Sequence, residues 1–498
     1  MTSSPARLWE ALRKGWPAAE LPTALPELFD DFKITSDTRI LERGDVFVAV
    51  PGSARDGRDY IETALESGGA ALVLAHAESP GVHLEGRVLH LPHLTRRLGE
   101  LGRTLFGVAD GLDLIGVTGT NGKSSVTHYI AALSERLDTP AGVIGTLGTG
   151  RLGALDDSGL TTPGPLALQH ALAKLGQSGA RRIAIEASSH ALDQNRLDAC
   201  SITAGVFTNL TRDHLDYHGS MAAYAAAKAR LFRRPELALA VVNARDPLTR
   251  LMLAGLEKGV RVLAVGDDEA CTLRVVGWHP HALGQSALVA TPEGEKTLEL
   301  GLMGRFNLDN VLLAIATLFG LGEPLEALFD AASRLEPVPG RMALLTQNGA
   351  PSVVIDYAHT PDALGAALEA LREHLGDAGK LWCVFGCGGE RDTGKRSEMA
   401  RAAEAHADHC VITDDNPRGE SPDAIRHMIA EGFSDGAAFS DIGDRRAAIE
   451  QVIARANPED VVLIAGKGHE SYQEIDGVRH AYRDDLEVHK ALNARSAR

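Results

Sequence analysis

The segment GVTGTNGKSSV, residues 116–126, contains the residue types that hold a nucleotide phosphate, but in a shortened arrangement. The usual P-loop reads G-x-x-x-x-G-K-[ST], and a valine stands here where its first glycine would be. Gly119 and Gly122 can still bring backbone N–H groups close to an anion at the start of a helix. Lys123 can neutralise phosphate charge, and Ser124 supplies the hydroxyl that P-loops place on Mg²⁺. An ordinary strand–turn–helix connection is the alternative, but the complete string T-G-T-N-G-K-S favours a nucleotide site.

Acidic and histidine side chains follow two further strands predicted in the same part of the chain. Glu186 ends the apolar run RRIAIE, and FTNLTRDHLDYHG places Asp213, His214, Asp216 and His218 after another run. Because ligands bind at the carboxyl edge of a parallel sheet, a carboxylate there could bind Mg²⁺. Taken alone, Glu186 could equally be a surface or capping acid. A histidine in such a loop is more often a hydrogen-bonding partner than a metal ligand.

Four polar loops lie in the last third of the chain. They are DYAHTP (356–361), GCGGERDTGKR (386–396), DDNPRG (414–419) and AGKGHES (465–471). Any one of them could be a solvated loop. Four loops rich in Asp, His, Arg and Lys in one block instead indicate a binding site for a polar small molecule.

Length and composition limit the classes of protein in question. The 498 residues are enough for about three domains of ordinary size. The formal net charge of −17 argues against nucleic acid or an anionic membrane as a partner. Five cysteines are too few and too scattered for a disulfide framework. The sequence predicts neither a signal peptide nor a membrane span, so we expect a cytoplasmic protein.

Short β-branched runs alternate with helical stretches through most of the chain, which is typical of an α/β protein with mainly parallel sheets. We predict a smaller N-terminal α/β domain (1–106), a central P-loop-type mononucleotide-binding sheet domain (107–338) and a C-terminal Rossmann-like domain (339–498). Within the central block, residues 271–302 instead predict antiparallel strands with a turn at TPEGEK.

Taken together, these motifs and their order resemble the Mur ligases, ATP-dependent enzymes that add amino acids to the peptidoglycan precursor. The resemblance covers essentially the full chain. It is tightest to the tripeptide-synthetase (MurE) branch, which attaches the third residue. The family's phosphate loop has the short form G-T-N-G-K-[ST], so the missing glycine is a family feature.

The resemblance implies a ligase that adds meso-diaminopimelate to the D-glutamate of UDP-N-acetylmuramoyl-L-alanyl-D-glutamate. ATP would phosphorylate the γ-carboxylate of D-glutamate, and the amine of the incoming amino acid would attack the resulting acyl phosphate. Two anions meet in the first step, so Mg²⁺ and positive side chains must reduce their repulsion. We therefore expect ATP as co-substrate, Mg²⁺ as cofactor, and a monomer.

The resemblance also implies site residues at matching positions. Those for catalysis are Lys123, Glu186, His214 and Lys228, and those for Mg²⁺ are Ser124, Glu186, His214 and Lys228, the last as a carbamate with oxygen ligands. Those around ATP are Gly119, Thr120, Asn121, Gly122, Lys123, Ser124, Ser125, Asn310, Arg341, Asp356 and His359. Those for the UDP-sugar and its peptide are Ser36, Thr38, Arg39, Ser53, Ala54, Arg55, Leu160, Thr161, Thr162, Ser188, Gln194 and Arg196. Relatives often have Asn where this chain has Leu160.

The acceptor amino acid is implied by DDNPR, which resembles the form found in enzymes that use meso-diaminopimelate. Diaminopimelate has a second carboxylate that Arg418 can bind in a bidentate manner, whereas L-lysine has only an ammonium at that end. The other implied acceptor contacts are Arg391, Asp415, Asn416, Pro417, Gly466 and Glu470.

Other functions remain as alternatives. They are an L-lysine-adding ligase, a neighbouring Mur step, a folylpolyglutamate-type ligase, a GTP-binding switch and a binding module without catalysis. The switch is disfavoured because the chain contains no Asn-Lys pair for a guanine motif.

Overall fold

The computed structural model describes residues 1–18, 20–52, 55–66, 68–157, 159–376 and 378–496. The described chain is an α/β protein with three main sheets, in N-terminal, central and C-terminal domains, which confirms the predicted fold class. The chain divides into two compact units. Unit 1 comprises Met1–Lys123, Ser134–Val242 and Asp246–Val262, and unit 2 comprises Ser124–Leu133, Asn243–Arg245 and Leu263–Arg498. The predicted domain boundaries stay predictions.

The N-terminal sheet of unit 1 has the strand order β1-β2-β3-β4-β6-β5, in which β2, β3, β4 and β6 are parallel. Its elements are β1 (Thr2–Ser3), α1 (Pro5–Gly15), β2 (Phe32–Thr35), β3 (Val46–Ala49), α2 (Ile61–Glu66), β4 (Leu72–Ala77), β5 (His83–Glu85), β6 (Val88–Pro92) and α3 (Leu94–Phe106), with 3₁₀ turns at Thr38–Ile40 and Gly57–Tyr60. All four residues of β3 are buried, as expected of a strand covered on both faces.

The central sheet contributes β10-β9-β8-β11-β7-β12-β13 to unit 1, and β8, β11, β7, β12 and β13 are parallel. The elements are β7 (Asp113–Thr118), α4 (Lys123–Arg136), β8 (Ala141–Gly145), β9 (Gly148–Arg151), β10 (Ala154–Asp156), α5 (Pro165–Gln177), β11 (Arg182–Glu186), α6 (Ser189–Asp193), β12 (Ile202–Phe207), α7 (Leu215–His218), α8 (Met221–Ala229), a 3₁₀ turn (Arg230–Arg233), β13 (Leu239–Asn243), α9 (Thr249–Leu253) and β14 (Arg261–Gly266). The carboxyl ends of β7, β11 and β12 therefore meet at one edge of the sheet.

The central domain continues in unit 2 with β15 (Leu273–His281), β16 (Gly284–Thr291), β17 (Gly294–Leu300), α10 (Arg305–Gly320) and α11 (Leu325–Ala332). The three strands pair antiparallel, and the turn between β16 and β17 lies at TPEGEK, as predicted from the sequence.

The C-terminal sheet of unit 2 has the order β18-β19-β23-β20-β21-β22, parallel except for β18. The elements are β18 (Ala343–Leu345), β19 (Ser352–Asp356), α12 (Pro361–Arg372), β20 (Leu381–Phe385), α13 (Gly394–His406), β21 (His409–Ile412), α14 (Pro422–Ala430), β22 (Phe439–Asp441), α15 (Arg445–Arg455), β23 (Val461–Ala465), a separate hairpin of β24 (Tyr472–Ile475) and β25 (Val478–Ala481), and α16 (Asp484–Ser496). The four polar loops predicted to form a site follow β19, β20, β21 and β23. Among the described residues, no helix is long and apolar enough to cross a membrane.

Candidate active site

The loop between β7 and α4 is braced by the segment that follows β12. The hydroxyl of Thr208 donates to the carbonyl oxygen of Asn121 at 2.6 Å. A Cβ added at Gly119 would lie 1.8 Å from Thr208 Oγ1, so this close approach requires glycine. Gly122 has a φ of +83°, which glycine adopts without strain.

Asn209 binds the same loop through its amide and its backbone. Its Oδ1 accepts the N–H of Asn121 at 2.9 Å, and its Nδ2 donates to the carbonyl oxygen of Asn121 at 3.2 Å. Its carbonyl oxygen accepts the N–H of Thr120 at 2.8 Å. The N–H groups of Thr120 and Asn121 are therefore engaged within the protein. Asn209 was not among the predicted site residues, although it stands in the TNL segment just before the predicted His214.

Two lysines converge on this loop. The carbonyl oxygen of Gly119 accepts from Lys123 Nζ at 3.0 Å and from Lys228 Nζ at 2.7 Å. Lys228 is 1% exposed, and its Nζ lies 4.3 Å from the centre of the Tyr224 ring. Burial, and next the charge of Lys123, hold the pKa of Lys228 well below its ordinary value. Its surroundings therefore favour the neutral amine more than water does, whereas the sequence alone would have indicated a surface helix residue.

Glu186 lies at the end of β11 and is 1% exposed. Its Oε1 accepts the N–H of Thr146 at 2.9 Å, and its Oε2 accepts the Thr146 hydroxyl at 3.1 Å. A Cβ at Gly145 would lie 2.3 Å from Glu186 Oε1, so the adjacent glycine makes room for the carboxylate. Glu186 is thus a fixed, buried carboxylate rather than a surface acid.

The residues predicted to hold the muramoyl-peptide cluster around this strand end. Thr161 Oγ1 lies 3.0 Å from Thr146 Oγ1, and Thr162 Oγ1 lies 3.0 Å from Ser188 Oγ. Arg196 Nη1 donates to the carbonyl oxygen of Thr162 at 2.7 Å, and Arg196 Nη2 donates to Gln194 Oε1 at 2.7 Å. Leu160 is 53% exposed. The structure therefore brings together five of the predicted peptide-binding residues beside Glu186.

His214 belongs to a group of aromatic rings that includes His190, Tyr217, His218 and Tyr224. Its ring centre lies 4.8 Å from that of His190 and 6.1 Å from that of Tyr224, and its Nε2 lies 3.4 Å from Asp213 Oδ2. Burial lowers the pKa of His214, although Asp213 opposes the shift. Among the described residues, no group of three or more His, Cys, Asp or Glu side chains is arranged to hold a metal ion by itself.

The predicted UDP-sugar residues follow two neighbouring strands of the N-terminal sheet. Ser36, Thr38 and Arg39 follow β2, and Arg39 Nη2 lies 2.6 Å from Asp37 Oδ2. Arg55 follows β3, and its Nη1 donates to the Tyr60 hydroxyl at 3.3 Å. Ser53 and Ala54 lie outside the described residues.

Six of the residues predicted around ATP lie in unit 2. Ser124 and Ser125 are buried in the first turn of α4, and Asn310 is buried in α10. Arg341, Asp356 and His359 surround Tyr357: the Arg341 guanidinium lies 4.7 Å, and the His359 ring 4.8 Å, from the ring centre. Asp356 accepts the N–H groups of Met342 and Ala358, each at 2.8 Å. Burial raises the pKa of Asp356, and Arg341 opposes that shift.

The predicted acceptor residues come together at the loops after β20, β21 and β23. Arg418 Nη1 donates to the carbonyl oxygen of Gly389 at 2.7 Å, and Arg418 Nε lies 4.0 Å from Glu474 Oε2. A Cβ at Gly389 would lie 2.0 Å from the carbonyl oxygen of Pro417, so the glycine turn lets the two loops touch. Arg391 is exposed on the same glycine-rich loop.

Carboxylate side chains belong to the same group of loops. A Cβ at Gly466 would lie 2.8 Å from Asp415 Oδ2, and Asn416 Nδ2 donates to Glu470 Oε2 at 2.8 Å. Lys467, which was not among the predicted site residues, is fully buried beside them. Guanidinium groups and carboxylates therefore occupy one set of loops, an arrangement suited to a zwitterionic ligand.

Two family models that match this chain are Mur ligase domains, and several similar proteins share the name of one ligase. Residues 117–318 match the model of the Mur ligase middle domain, and residues 340–468 match that of the Mur ligase glutamate ligase domain. The chain is 46% identical to the UDP-N-acetylmuramoyl-L-alanyl-D-glutamate–2,6-diaminopimelate ligase of Pseudomonas aeruginosa, over 95% of this chain and 99% of that protein. It is 43% identical to the protein of the same name in Xanthomonas oryzae pv. oryzae, over 95% of this chain and 96% of that protein. A solved structure of a ligase of this name is 37% identical, with a TM-score of 0.69, and covers 93% of this chain and 95% of that one.

Proposed function

The chain belongs to the Mur ligase family, whose members use ATP, and we propose that it joins meso-diaminopimelate to UDP-N-acetylmuramoyl-L-alanyl-D-glutamate in peptidoglycan precursor synthesis. The identities to diaminopimelate ligases over 95% of the chain support this activity. The observation that carries the choice of acceptor is the group of loops where Arg418, Asp415 and Glu470 lie together. Diaminopimelate has two ammonium and two carboxylate groups, so its binding site needs both negatively and positively charged side chains.

In the proposed first step, the γ-carboxylate of D-glutamate attacks the γ-phosphorus of ATP, forming an acyl phosphate and releasing ADP. Lys123 is assigned to the phosphates of ATP, which an ammonium at the start of a helix can neutralise. Its Nζ donates to the carbonyl oxygens of Gly119 and Thr120, at 3.0 and 2.7 Å, and this position on the loop supports the assignment. The peptide of the substrate is assigned to the polar group around Thr161, Thr162 and Arg196.

In the second step, the amine of diaminopimelate attacks the acyl carbonyl, and a tetrahedral intermediate expels phosphate. Arg418 is assigned to the distal carboxylate of diaminopimelate and Glu470 to its distal ammonium. The implied contribution of Arg341, Asp356 and His359 to ATP binding stays a prediction, as does that of Asn310.

Two residues near the carboxyl ends of β7 and β11 can supply ligands of the type that Mg²⁺ prefers, which supports the assignment of a Mg²⁺ ion here. Glu186 supplies a buried carboxylate, and Lys228 a buried amine of lowered pKa. As a neutral amine, Lys228 can add to CO₂ and lose a proton, giving a carbamate whose oxygens are suitable Mg²⁺ ligands. We assign Glu186, His214 and the carbamate of Lys228 to this ion, which, when bound, reduces the repulsion between the two reacting anions. The implied contribution of Ser124 stays a prediction.

We further propose that the protein acts as a monomer in the cytoplasm, where ATP is available. The test of the function is phosphate release with ATP, Mg²⁺ and UDP-N-acetylmuramoyl-L-alanyl-D-glutamate, comparing meso-diaminopimelate with L-lysine. We expect turnover with diaminopimelate and little with lysine. Equal or better turnover with lysine would contradict the assignment of Arg418. Turnover with neither would contradict the proposed substrates and direct attention to other substrates of the superfamily.

A further inference from the structure

Lys467 is a buried cation at the centre of the acceptor loops. It follows β23, and its side chain is 0% exposed. Its Nζ donates to Glu470 Oε2 at 2.9 Å and to Asn416 Oδ1 at 3.0 Å, and it lies 3.6 Å from Asp415 Oδ1. All three partners are residues assigned to the acceptor, whereas Lys467 is not.

The hydrogen bonds of Lys467 orient the amide of Asn416 and the carboxylate of Glu470. Asn416 Oδ1 also accepts the N–H of Glu474 at 2.9 Å, so the Asn416 amide has one orientation, with its Nδ2 turned to Glu470. Lys467 and Asn416 thus donate to the same oxygen, Oε2, of Glu470. A carboxylate with two donors on one oxygen has little rotational freedom, and its other oxygen has a defined position.

Lys467 also sets the charge of this group. Its side chain lies beside those of Asp415 and Glu470, so replacing Lys467 by a neutral residue removes one formal positive charge and leaves this group more negative. A more negative group would attract a net-cationic amino acid more strongly than a zwitterion of zero net charge. L-lysine is net-cationic, and diaminopimelate is a zwitterion.

We propose that Lys467 is a positioning residue of the acceptor site, which orients Asn416 and Glu470 and favours diaminopimelate over L-lysine. This inference rests on the proposed function, because it presumes that these loops bind the acceptor. A lysine that merely fills the domain core would be the competing explanation. That explanation predicts a loss of stability without any change in the preference between acceptors.

The test compares Lys467→Met with Lys467→Gln in the full-length enzyme, first varying the acceptor with ATP and the UDP-linked substrate saturating, and then varying ATP with the other two saturating. For Lys467→Met we expect kcat/KM for diaminopimelate to fall about 10- to 100-fold, the range that hydrogen bonds to charged groups contribute. The ratio of kcat/KM for diaminopimelate to that for L-lysine should also fall, while the KM for ATP stays unchanged. Lys467→Gln retains a donor and should lie between Met and the wild type.

Lys490→Met provides the matched control. Lys490 lies in α16 of the same domain, and its Nζ contacts Glu487 at 2.9 Å, but its side chain is 69% exposed. We expect this variant to keep all kinetic constants, because an exposed ion pair contributes little.

A double-mutant cycle of Lys467→Gln with Glu470→Gln tests whether Lys467 acts through Glu470. We expect the two effects on kcat/KM for diaminopimelate to be non-additive, as for residues in one network. Additive effects, or a Lys467→Gln enzyme whose acceptor preference is unchanged, would overturn the inference. The inference would also be overturned if, in both Lys467 variants, the melting temperature fell and kcat/KM fell equally for every substrate. If the wild type used neither amino acid, the proposed function itself would fail, which separates the two outcomes.

Discussion

Arg418→Ala should remove the recognition of the distal carboxylate of diaminopimelate. In the structure, Arg418 Nη1 is fixed by the carbonyl oxygen of Gly389 at 2.7 Å, and the side chain is 21% exposed. Removing one partner of a buried charge pair costs about 2–5 kcal/mol. Because this side chain is partly exposed, we take the lower part of that range, about 2–3 kcal/mol, which corresponds to a fall of about 30- to 150-fold in kcat/KM for diaminopimelate.

The backbone does not complicate this substitution. Arg418 has a φ of +55°, a left-handed conformation that costs an alanine about as much as it costs an arginine. Its N–H donates to the carbonyl oxygen of Glu474 at 3.0 Å, and this bond does not depend on the side chain. The melting temperature should therefore change little, and the kinetic effect should report the lost guanidinium.

Steady-state phosphate release with varied diaminopimelate and varied ATP gives the required constants. Arg479→Ala is the matched control, because Arg479 Nε also lies 4.0 Å from Glu474 Oε2 but its side chain is 66% exposed. Arg418→Lys keeps the charge without the bidentate fork and should fall between alanine and the wild type. An unchanged kcat/KM for diaminopimelate in Arg418→Ala would refute the assignment of Arg418, and so would a rise in the KM for ATP as large as the fall in that kcat/KM.

Three further predictions concern other parts of the molecule. Because the pKa of Lys228 is lowered, ¹³C-labelled CO₂ should give a carbamate NMR signal in the wild type that is absent from Lys228→Arg; the same signal in both would contradict this. Asn209→Ala should raise the KM for ATP about tenfold and leave the KM for diaminopimelate unchanged, because it removes two hydrogen bonds to the phosphate loop. His374 is 3% exposed, its Nε2 accepts the N–H of Gly304 at 2.8 Å, and burial lowers its pKa. The imidazole of His374 therefore binds a proton more readily in the unfolded chain than in the folded protein. The free energy of unfolding should fall as the pH drops below about 6.5 towards the lowered pKa. The melting temperature of His374→Gln should depend less on pH over that range than that of the wild type.

The sequence predicted the elements that have strong local signals. The runs RRIAIEA and DVVLIAG became the buried strands β11 and β23, because continuous apolar β-branched residues favour strands covered on both faces. Strand β1, only Thr2–Ser3, was not predicted, since a strand of two residues exists only through its pairing with Phe32 and Lys33. The family and the fold class are confirmed, whereas the roles of individual site residues stay predictions.

Side chains that act by contact with distant segments were the ones that sequence patterns missed. Thr208 and Asn209 come about 90 residues after the loop that they brace, as the separations of 87 and 88 residues show. Lys467 donates a hydrogen bond to Asn416, which is 51 residues earlier in the sequence. No periodicity or local motif reports such pairs, because their signal arises only when parallel strands bring their carboxyl ends to one edge.

Two buried lysines illustrate why residue type alone does not decide chemistry. Lys228 faces the carbonyl oxygen of Gly119 and is close enough to Lys123 for that charge to lower its pKa, so its environment favours a neutral amine that can react. Lys467 faces the carboxylates of Asp415 and Glu470, so its ammonium serves as a charge partner and a hydrogen-bond donor. The same side chain is thus assigned a chemical modification at one strand end and the orientation of a binding site at another. Replacing either lysine by arginine keeps a positive charge but should have a different effect at each site. Lys228→Arg should abolish the carbamate, because a guanidinium does not form one. Lys467→Arg should lower the kcat/KM for diaminopimelate, because the larger group would displace Asn416 and Glu470.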